Sequence, residues 1–217
     1  HVEAQNSMGN ALRGLGQVSE AQECYQRCID LHHRTSAAGA GGGLKGPGTA
    51  YCKERAFQLP VLYNNLGGTL KLQGKLVEAV ACYQKVVELH PDTPVAHTNL
   101  GACQQDLGLH EEAIIAFKKA LAIKPDYEEA ICSLFHSQQF ICCWDDRESR
   151  LAALVRLVVD SLSRGQLPCV QPFHVIAYPL PSDLVLMICR AYASHALTTA
   201  TVRCTLGPLP PAPPRPR

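Results

Sequence analysis

The stretch that decides the fold is YNNLGGTLKLQGKLVEAVACYQKVVELHP, residues 63–91, because the chain repeats it in the same register. Residues 97–125, HTNLGACQQDLGLHEEAIIAFKKALAIKP, carry glycine, alanine, an aromatic residue and proline at the same points, 34 residues further on. The aligned pairs are Gly67 and Gly101, Gly74 and Gly108, Ala79 and Ala113, Tyr83 and Phe117, and Pro91 and Pro125. Two copies with every marked position filled indicate a repeat architecture.

A period of 34 residues is typical of the tetratricopeptide repeat, a pair of antiparallel helices. Gly67 and Gly101 would let the second helix of each pair approach the first closely. Pro91 and Pro125 predict the end of each second helix, because proline does not continue a helix. We therefore predict an all-α fold in which residues 59–125 form two repeats of a tetratricopeptide superhelix.

An earlier copy of the repeat occupies residues 1–34 and keeps most of its marked positions. It carries Met8, Gly9, Gly16, Ala21 and Tyr25 in the expected order, but His33 stands where proline is expected. Residues 35–58 form an insertion whose first part, TSAAGAGGGLKGPGTA, predicts a flexible linker. We reject a phosphate-binding loop there, since no Gly-Lys-Ser/Thr follows the glycines and no strand precedes them.

A fourth copy starts at residue 126 and departs from the pattern, because Phe135 occupies the position of the repeat glycine. A repeat array needs an atypical end that covers its last apolar face. Residues 126–140 are therefore predicted to form a capping helix or the joint to a further region.

Composition excludes several classes of partner. The 217 residues are 47% hydrophobic and carry a formal net charge of +1, so no global field attracts nucleic acid or a membrane surface. No apolar run reaches the length of a membrane span, and because the sequence begins with His1 we expect it to start within a longer protein.

The eleven cysteines indicate a reducing compartment, which we take as cytoplasm and nucleus. Six of them lie where helices favour small apolar side chains, namely Cys24, Cys28, Cys82, Cys103, Cys132 and Cys189, and their spacings do not suggest a disulfide framework. Neither the Cys24 and Cys28 pair nor the adjacent Cys142 and Cys143 has the paired C-x-x-C spacing of a zinc site, so we predict no metal.

Asn65 and Asn99 lie one period apart on the predicted first helices, two residues before the repeat glycine. A side-chain amide offers a donor and an acceptor, so regularly spaced amides can hold the backbone of an extended peptide. Repeat superhelices bind such peptides on their concave face. The alternative is that both asparagines only keep the helix surface soluble, and Ser7 at the equivalent point of the first copy interrupts the series.

After residue 140 the repeat pattern gives way to other helices, and residues 141–197 are predicted as one region. An apolar stripe at helical spacing, Leu151, Leu154, Val155, Val158 and Leu162, predicts a first helix with Asp145 or Asp146 near its N-terminus. A second helix is predicted after Ser182 as N-cap, burying Leu184, Met187, Ile188 and Ala191. Residues 198–217 are predicted to be a proline-rich tail.

Three stretches of this region resemble one family: residues 134–158, LFHSQQFICCWDDRESRLAALVRLV, residues 167–180, LPCVQPFHVIAYPL, and residues 188–196, ICRAYASHA. Together they are similar to the junction between repeats and catalytic region in nucleocytoplasmic protein O-linked N-acetylglucosamine (O-GlcNAc) transferases, in their plant and algal form. The resemblance covers roughly residues 126–196.

The resemblance implies a glycosyltransferase that moves N-acetylglucosamine from UDP-GlcNAc, its donor substrate, to Ser or Thr of proteins presented by the repeats. It also implies an asparagine ladder on the concave face, which suits Asn65 and Asn99. In the family the two α/β lobes follow this point, so we expect the present chain alone to be inactive. Two alternatives stay open: a non-enzymatic tetratricopeptide adaptor, and a related transferase with another sugar such as fucose.

The histidine of the QPFHVIAYPL stretch, His174, is the candidate catalytic residue of the region. Animal members of the family resemble this chain but carry a His-His pair here, and the first histidine is the one discussed as catalytic; Phe173 occupies that position. The alternative is a core histidine whose ring bonds a backbone carbonyl, the commoner fate of a histidine among apolar neighbours.

Overall fold

The computed structural model describes residues 2–40, 48–143, 147–175 and 177–205, which divide into two compact units, 1–144 and 145–217. All secondary structure in the described residues is helical and they contain no strand, so the predicted all-α class is confirmed. None of the described helices combines the length and the hydropathy needed to cross a membrane.

The first unit is a row of helices that pack in consecutive pairs. Its helices are α1 (Val2–Gly14), α2 (Val18–Ala40), α3 (Gly48–Leu72), α4 (Leu76–Leu89), α5 (Pro94–Asp106), α6 (His110–Ile123) and α7 (Glu128–Phe140). Within each repeat the first helix packs on the second, and each second helix also packs on the first helix of the next repeat. This is the predicted tetratricopeptide arrangement, with its core between the helices of each pair and between neighbouring pairs.

The repeat glycines are required by close helix contacts. A Cβ atom on Gly101 would lie 2.7 Å from Cε1 of Phe117, and one on Gly67 would lie 3.0 Å from Cε1 of Tyr83. Phe117 and Tyr83 are both buried. The aromatic ring of each second helix therefore fills the space that the missing side chain leaves, as the sequence pattern predicted.

The Gly/Ala-rich insertion is more helical than predicted. Helix α2 continues to Ala40 and helix α3 begins at Gly48, so the flexible-linker prediction for residues 35–50 is wrong at 35–40 and 48–50, while residues 41–47 lie outside the described part. The reason is local, because His33 leaves α2 without the proline that would end it, and alanine has the highest helix propensity of all residues.

Helix α7 corresponds to the predicted capping helix and packs on α6. Phe135 is buried at the position of the repeat glycine. A second helix cannot approach α7 there as closely as α6 approaches Gly101, because the phenylalanine ring occupies the space.

The second unit contains α8 (Arg147–Ser163), α9 (Pro172–Val175) and α10 (Ser182–Thr205). Its buried side chains include Leu154, Val158, Val170, Val175, Tyr178, Leu184 and Ile188. The apolar stripe predicted for α8 is confirmed at its centre, since Leu154 and Val158 are fully buried. The prediction that Met187 is buried is wrong. Met187 is 49% exposed, because it lies beside the buried stripe of α10.

Two further predictions concern the ends of this unit. Helix α10 continues to Thr205, so the predicted tail is helical over residues 198–205. No proline stands between Pro181 and Pro208, so none interrupts the helix before residue 205. Residues 206–217, and the proposed N-terminal acids Asp145 and Asp146, lie outside the described residues.

Candidate functional site

The two predicted asparagines each bond to the preceding repeat. Nδ2 of Asn65 on α3 donates to Oδ1 of Asn6 on α1 at 3.0 Å. Nδ2 of Asn99 on α5 donates to Oδ1 of Asn64 on α3 at 2.8 Å. Asn6 and Asn64 occupy equivalent repeat positions, so the same amide pair recurs at both junctions between repeats.

These bonds leave part of each amide available. A side-chain amide has two N–H donors and one carbonyl acceptor, and the pair bond uses one donor of Asn65 and of Asn99. Asn99 is half-buried, whereas Asn65 is only 9% exposed, so a ligand reaches Asn99 more easily. The sequence interpretation missed Asn6 and Asn64, although their separation of one period plus the 24-residue insertion could have revealed them.

A groove beside the Asn64 amide runs between α3, α4 and α5 and encloses about 260 Å³. It is lined by Pro60, Val61, Asn64, Val86, His90, Thr93, Val95 and Ala96. We call it the Val61 groove. Val61 and Val95 are 46% and 44% exposed, and they give it an apolar floor beside a polar amide. That combination suits an extended peptide, whose side chains bury apolar area while an amide binds its backbone.

His174 lies on the short helix α9 in the second unit, between exposed Phe173 and buried Val175. Its ring is half-buried and meets the Phe173 ring edge-on, with 6.0 Å between centroids. Phe173 is 81% exposed, so the residue before His174 presents an apolar ring at the surface. His174 is thus not a core histidine, and whether it acts in catalysis stays a prediction.

A second cavity of about 330 Å³ lies between the C-terminal end of α8 and the middle of α10. Among the side chains lining it His195 is titratable, and the lining includes no lysine or arginine. Beside it, the hydroxyl of Tyr192 donates to the carbonyl of Pro168 at 2.7 Å and ties α10 to the preceding loop. This cavity lacks the cations that a diphosphate needs.

Comparison with known families divides the chain as the fold does. Tetratricopeptide-repeat models match residues 2–31 and 58–126, and the glycosyl transferase family 41 model matches residues 141–204. The chain is thus similar to tetratricopeptide-repeat proteins in its first unit and to glycosyl transferase family 41 over residues 141–204.

Two curated proteins are similar to the chain over part of its length. The probable UDP-N-acetylglucosamine–peptide N-acetylglucosaminyltransferase of Arabidopsis thaliana is 41% identical over 68 residues, 31% of this chain and 7% of the relative. The UDP-N-acetylglucosamine–peptide N-acetylglucosaminyltransferase of Caenorhabditis elegans is 39% identical over 56 residues, 26% of this chain and 5% of the relative. The chain thus spans less than a tenth of each relative.

Solved structures show the same fold at low sequence identity. A mutant O-GlcNAc transferase of Thermobaculum terrenum superposes with a TM-score of 0.53 at 19% identity, covering 71% of this chain and 25% of that one. MamA superposes with a TM-score of 0.56 at 18% identity, covering 70% and 75%. The first tetratricopeptide domain of RPAP3 bound to an HSP90 peptide has a TM-score of 0.50 at 21% identity, covering 65% and 93%.

Proposed function

We propose that this chain is part of an enzyme that transfers N-acetylglucosamine from UDP-GlcNAc to Ser and Thr hydroxyls of proteins in the cytoplasm and nucleus. The observation that carries the proposal is the order of the matches, with repeats at residues 2–31 and 58–126 followed by a family 41 segment at residues 141–204. The names of both curated relatives state this transfer to peptides.

In this proposal the repeats hold the protein substrate as an extended peptide. The Val61 groove supplies apolar contact, and the amides of Asn64 and Asn99 are already fixed by their mutual hydrogen bond. Fixed amides lose little freedom when a peptide backbone binds, which favours recognition that tolerates many sequences. The amide of Asn65 contributes at the neighbouring junction, where it is less accessible.

The chemistry needs a group that accepts the proton of the acceptor hydroxyl and cations that stabilise the departing UDP. His174 is the candidate for the first task, since its half-buried imidazole lies on a surface helix of the family 41 segment. For the second task, the described residues of the second unit gather no pair of cations around the cavity near His195. We therefore propose that donor binding requires residues other than those described.

The test compares sugar transfer by the full reading frame that contains this chain with transfer by the chain itself. We expect incorporation of N-acetylglucosamine from UDP-GlcNAc into acceptor proteins by the full frame and none by the chain. Absence of transfer by the full frame from UDP-GlcNAc, while the chain still binds peptides, would overturn the enzymatic proposal in favour of an adaptor. If the full frame transfers sugar from a fucose donor but not from UDP-GlcNAc, the result would indicate the related transferase.

The role of the repeats is tested with Asn99→Ala in the full frame. Loss of one hydrogen bond predicts about a fivefold lower kcat/KM for a protein acceptor, carried by KM with kcat unchanged. Lys118→Ala is the matched control, because Lys118 is exposed on the second helix of the same repeat and lies outside the groove. An equal change in both variants would refute substrate binding by the amides.

A further inference from the structure

Three residues converge where the first and second repeats meet, and we call the space between them the Arg13 pocket. A Cβ atom on Gly68 would lie 3.4 Å from Nη1 of Arg13 and 3.6 Å from the hydroxyl oxygen of Tyr83. Gly68 and Arg13 are half-exposed, so the space reaches the surface. A guanidinium and a phenol hydroxyl thus point at one space that holds no side chain.

In the first repeat a polar side chain fills this position. There the hydroxyl of Tyr25 donates to Oδ1 of Asn10 at 2.7 Å. Gly68 and Tyr83 are the counterparts of Asn10 and Tyr25, each 58 residues further on. The second repeat has therefore kept the donor and lost the side chain that accepts from it.

The third repeat lacks both partners. Its counterparts are Ala102 and Phe117, so it has no hydroxyl to satisfy and no acceptor. Donor and acceptor are both present in the first repeat and both absent in the third. The second repeat alone of these three retains the hydroxyl, that of Tyr83, without an acceptor from its own first helix.

Arg13, the cation of the pocket, also lacks the carboxylate partner that the equivalent residue of the second repeat has. Lys71 occupies the position equivalent to Arg13, and its Nζ forms an ion pair with Asp106 of the next repeat at 2.8 Å. The residue equivalent to Asp106 beside Arg13 is Leu72. Within the described part of the chain, no carboxylate lies within ion-pair distance of Arg13.

We propose that the Arg13 pocket binds the carboxylate of an Asp or Glu side chain in the peptide that the repeats hold. The carboxylate accepts from the Arg13 guanidinium and from the Tyr83 hydroxyl, and so replaces both missing partners. The absent side chain at Gly68 gives it room. This inference rests on the proposed peptide binding and adds to it a preference for acidic residues at one point of the peptide.

The ionisation states of the pocket suit this ligand. Burial raises the pKa of Tyr83 to about 12, so its hydroxyl stays protonated and donates at neutral pH. Arg13 keeps its positive charge at any physiological pH. The Arg13 guanidinium offers donors only and the Tyr83 hydroxyl can donate beside it, so the pocket favours a charged carboxylate over a neutral amide, and the positive charge of Arg13 rejects lysine.

The experiment measures binding of this 217-residue chain to fluorescent extended peptides rich in Ser and Thr that differ at one scanned position, Glu, Gln or Lys. We expect the Glu peptide to bind about tenfold more tightly than the Gln peptide at one position of the scan, as a charge-assisted hydrogen bond allows. Arg13→Gln and Tyr83→Phe install the residues of the third repeat, Gln105 and Phe117, and should reduce that preference.

Lys71→Gln is the control, because Lys71 is a cation at the equivalent position that is already paired with Asp106. We expect it to leave the ratio of Glu to Gln affinity unchanged. Circular dichroism of each variant verifies that it is folded. Peptides that bind equally well with Glu and Gln, or a preference that Arg13→Gln leaves intact, would overturn the pocket while peptide binding stands. If no peptide binds, the proposed function of the repeats fails as well.

Discussion

At the residue scale, the tightest fit described between the two helices of a repeat involves a glycine and an aromatic ring. Adding a methyl group to Gly101 would bring it within 2.7 Å of Phe117, which is fully buried and packed within the repeat. We expect Gly101→Ala to lower the free energy of unfolding by about 1–3 kcal/mol, the usual cost of overpacking a core. Denaturant unfolding followed by circular dichroism measures the change.

Gly14→Ala is the control for that experiment. Gly14 ends helix α1, and a Cβ atom there would meet no atom within 4 Å. The same substitution should therefore be neutral or stabilise by up to about 1 kcal/mol, through helix propensity alone. If both variants lost the same stability, the close contact with Phe117 would not explain the glycine.

The same scale shows what the sequence could and could not predict about the site. Asn65 and Asn99 were identified by their period, which is a property of the sequence alone. Their partners Asn6 and Asn64 were missed, because each bond joins residues separated by a helix pair, and such pairing depends on how repeats stack. The Arg13 pocket was hidden for the same reason, as its signal is a difference between repeats.

At the element scale, helix ends were predicted correctly where a breaker marks them. Pro91 and Pro125 follow the ends of α4 and α6, and Gly74 forms the turn before α4 with a φ of 76°. Two errors lie where no proline stands, since α2 runs past His33 and α10 runs past residue 197, while α3 begins at Gly48 and continues through Pro60. Glycine and alanine content suggested a loop, but alanine-rich sequence also favours helix.

Substitution of Pro60 tests whether α3 is continuous through this proline. It lies inside α3, one period before Pro94, which is at the N-terminus of α5. An interior proline removes a backbone hydrogen bond, whereas one at the first position of a helix costs nothing. Pro60→Ala should raise the free energy of unfolding by about 1–2 kcal/mol, the proline penalty less the buried ring. Thermal unfolding followed by circular dichroism gives the difference.

Pro94→Ala is the matched variant for Pro60, with an expected change near zero or slightly negative, because the unfolded chain gains freedom. Equal effects of the two substitutions would mean that the helix of the second repeat starts at Pro60 in solution. The part of α3 before Pro60 would then contribute nothing to the stability of the repeat.

Tyr178 makes the stability of the second unit sensitive to alkali. Burial raises its pKa from 10.0 to about 12, so the folded state keeps the proton that the unfolded chain releases above pH 10. The stabilising effect is complete below pH 10 and is lost as the pH rises from 10 through 12. Tyr178→Phe should therefore weaken the loss of stability in this range, measured by unfolding at a series of alkaline pH values.

Phenolate absorbance provides the second reading for Tyr178. The wild-type chain should show a tyrosine that titrates late, and the variant should lack it. If Tyr178→Phe did not change the alkaline stability profile, the raised pKa of Tyr178 would not explain the loss of stability. Tyr83 in the first unit has its pKa raised to about 12 as well, so Tyr83→Phe tests whether the two units respond separately.

At the scale of the whole molecule, the proposed function assigns peptide recognition to the first unit and a part in the chemistry to the second. The first unit offers amides, an apolar groove and a cationic pocket, all suited to a peptide. The second carries the family 41 match and His174. The repeat period and the family resemblance predicted this division, and the proposed sugar donor rests on the similarity to family 41 and to the two curated relatives.

Ligand-induced stabilisation tests that division directly. A ligand that binds only the folded state raises its stability by RT ln(1 + [L]/Kd), about 2.7 kcal/mol at a hundredfold excess over Kd. Since the cavity near His195 has no lysine or arginine in its lining, we expect UDP-GlcNAc to leave the Tm of this chain unchanged. A Glu-containing peptide should raise it. The Thermobaculum terrenum O-GlcNAc transferase serves as the positive control for the sugar nucleotide, and a rise in Tm of this chain with UDP-GlcNAc would place donor recognition within it.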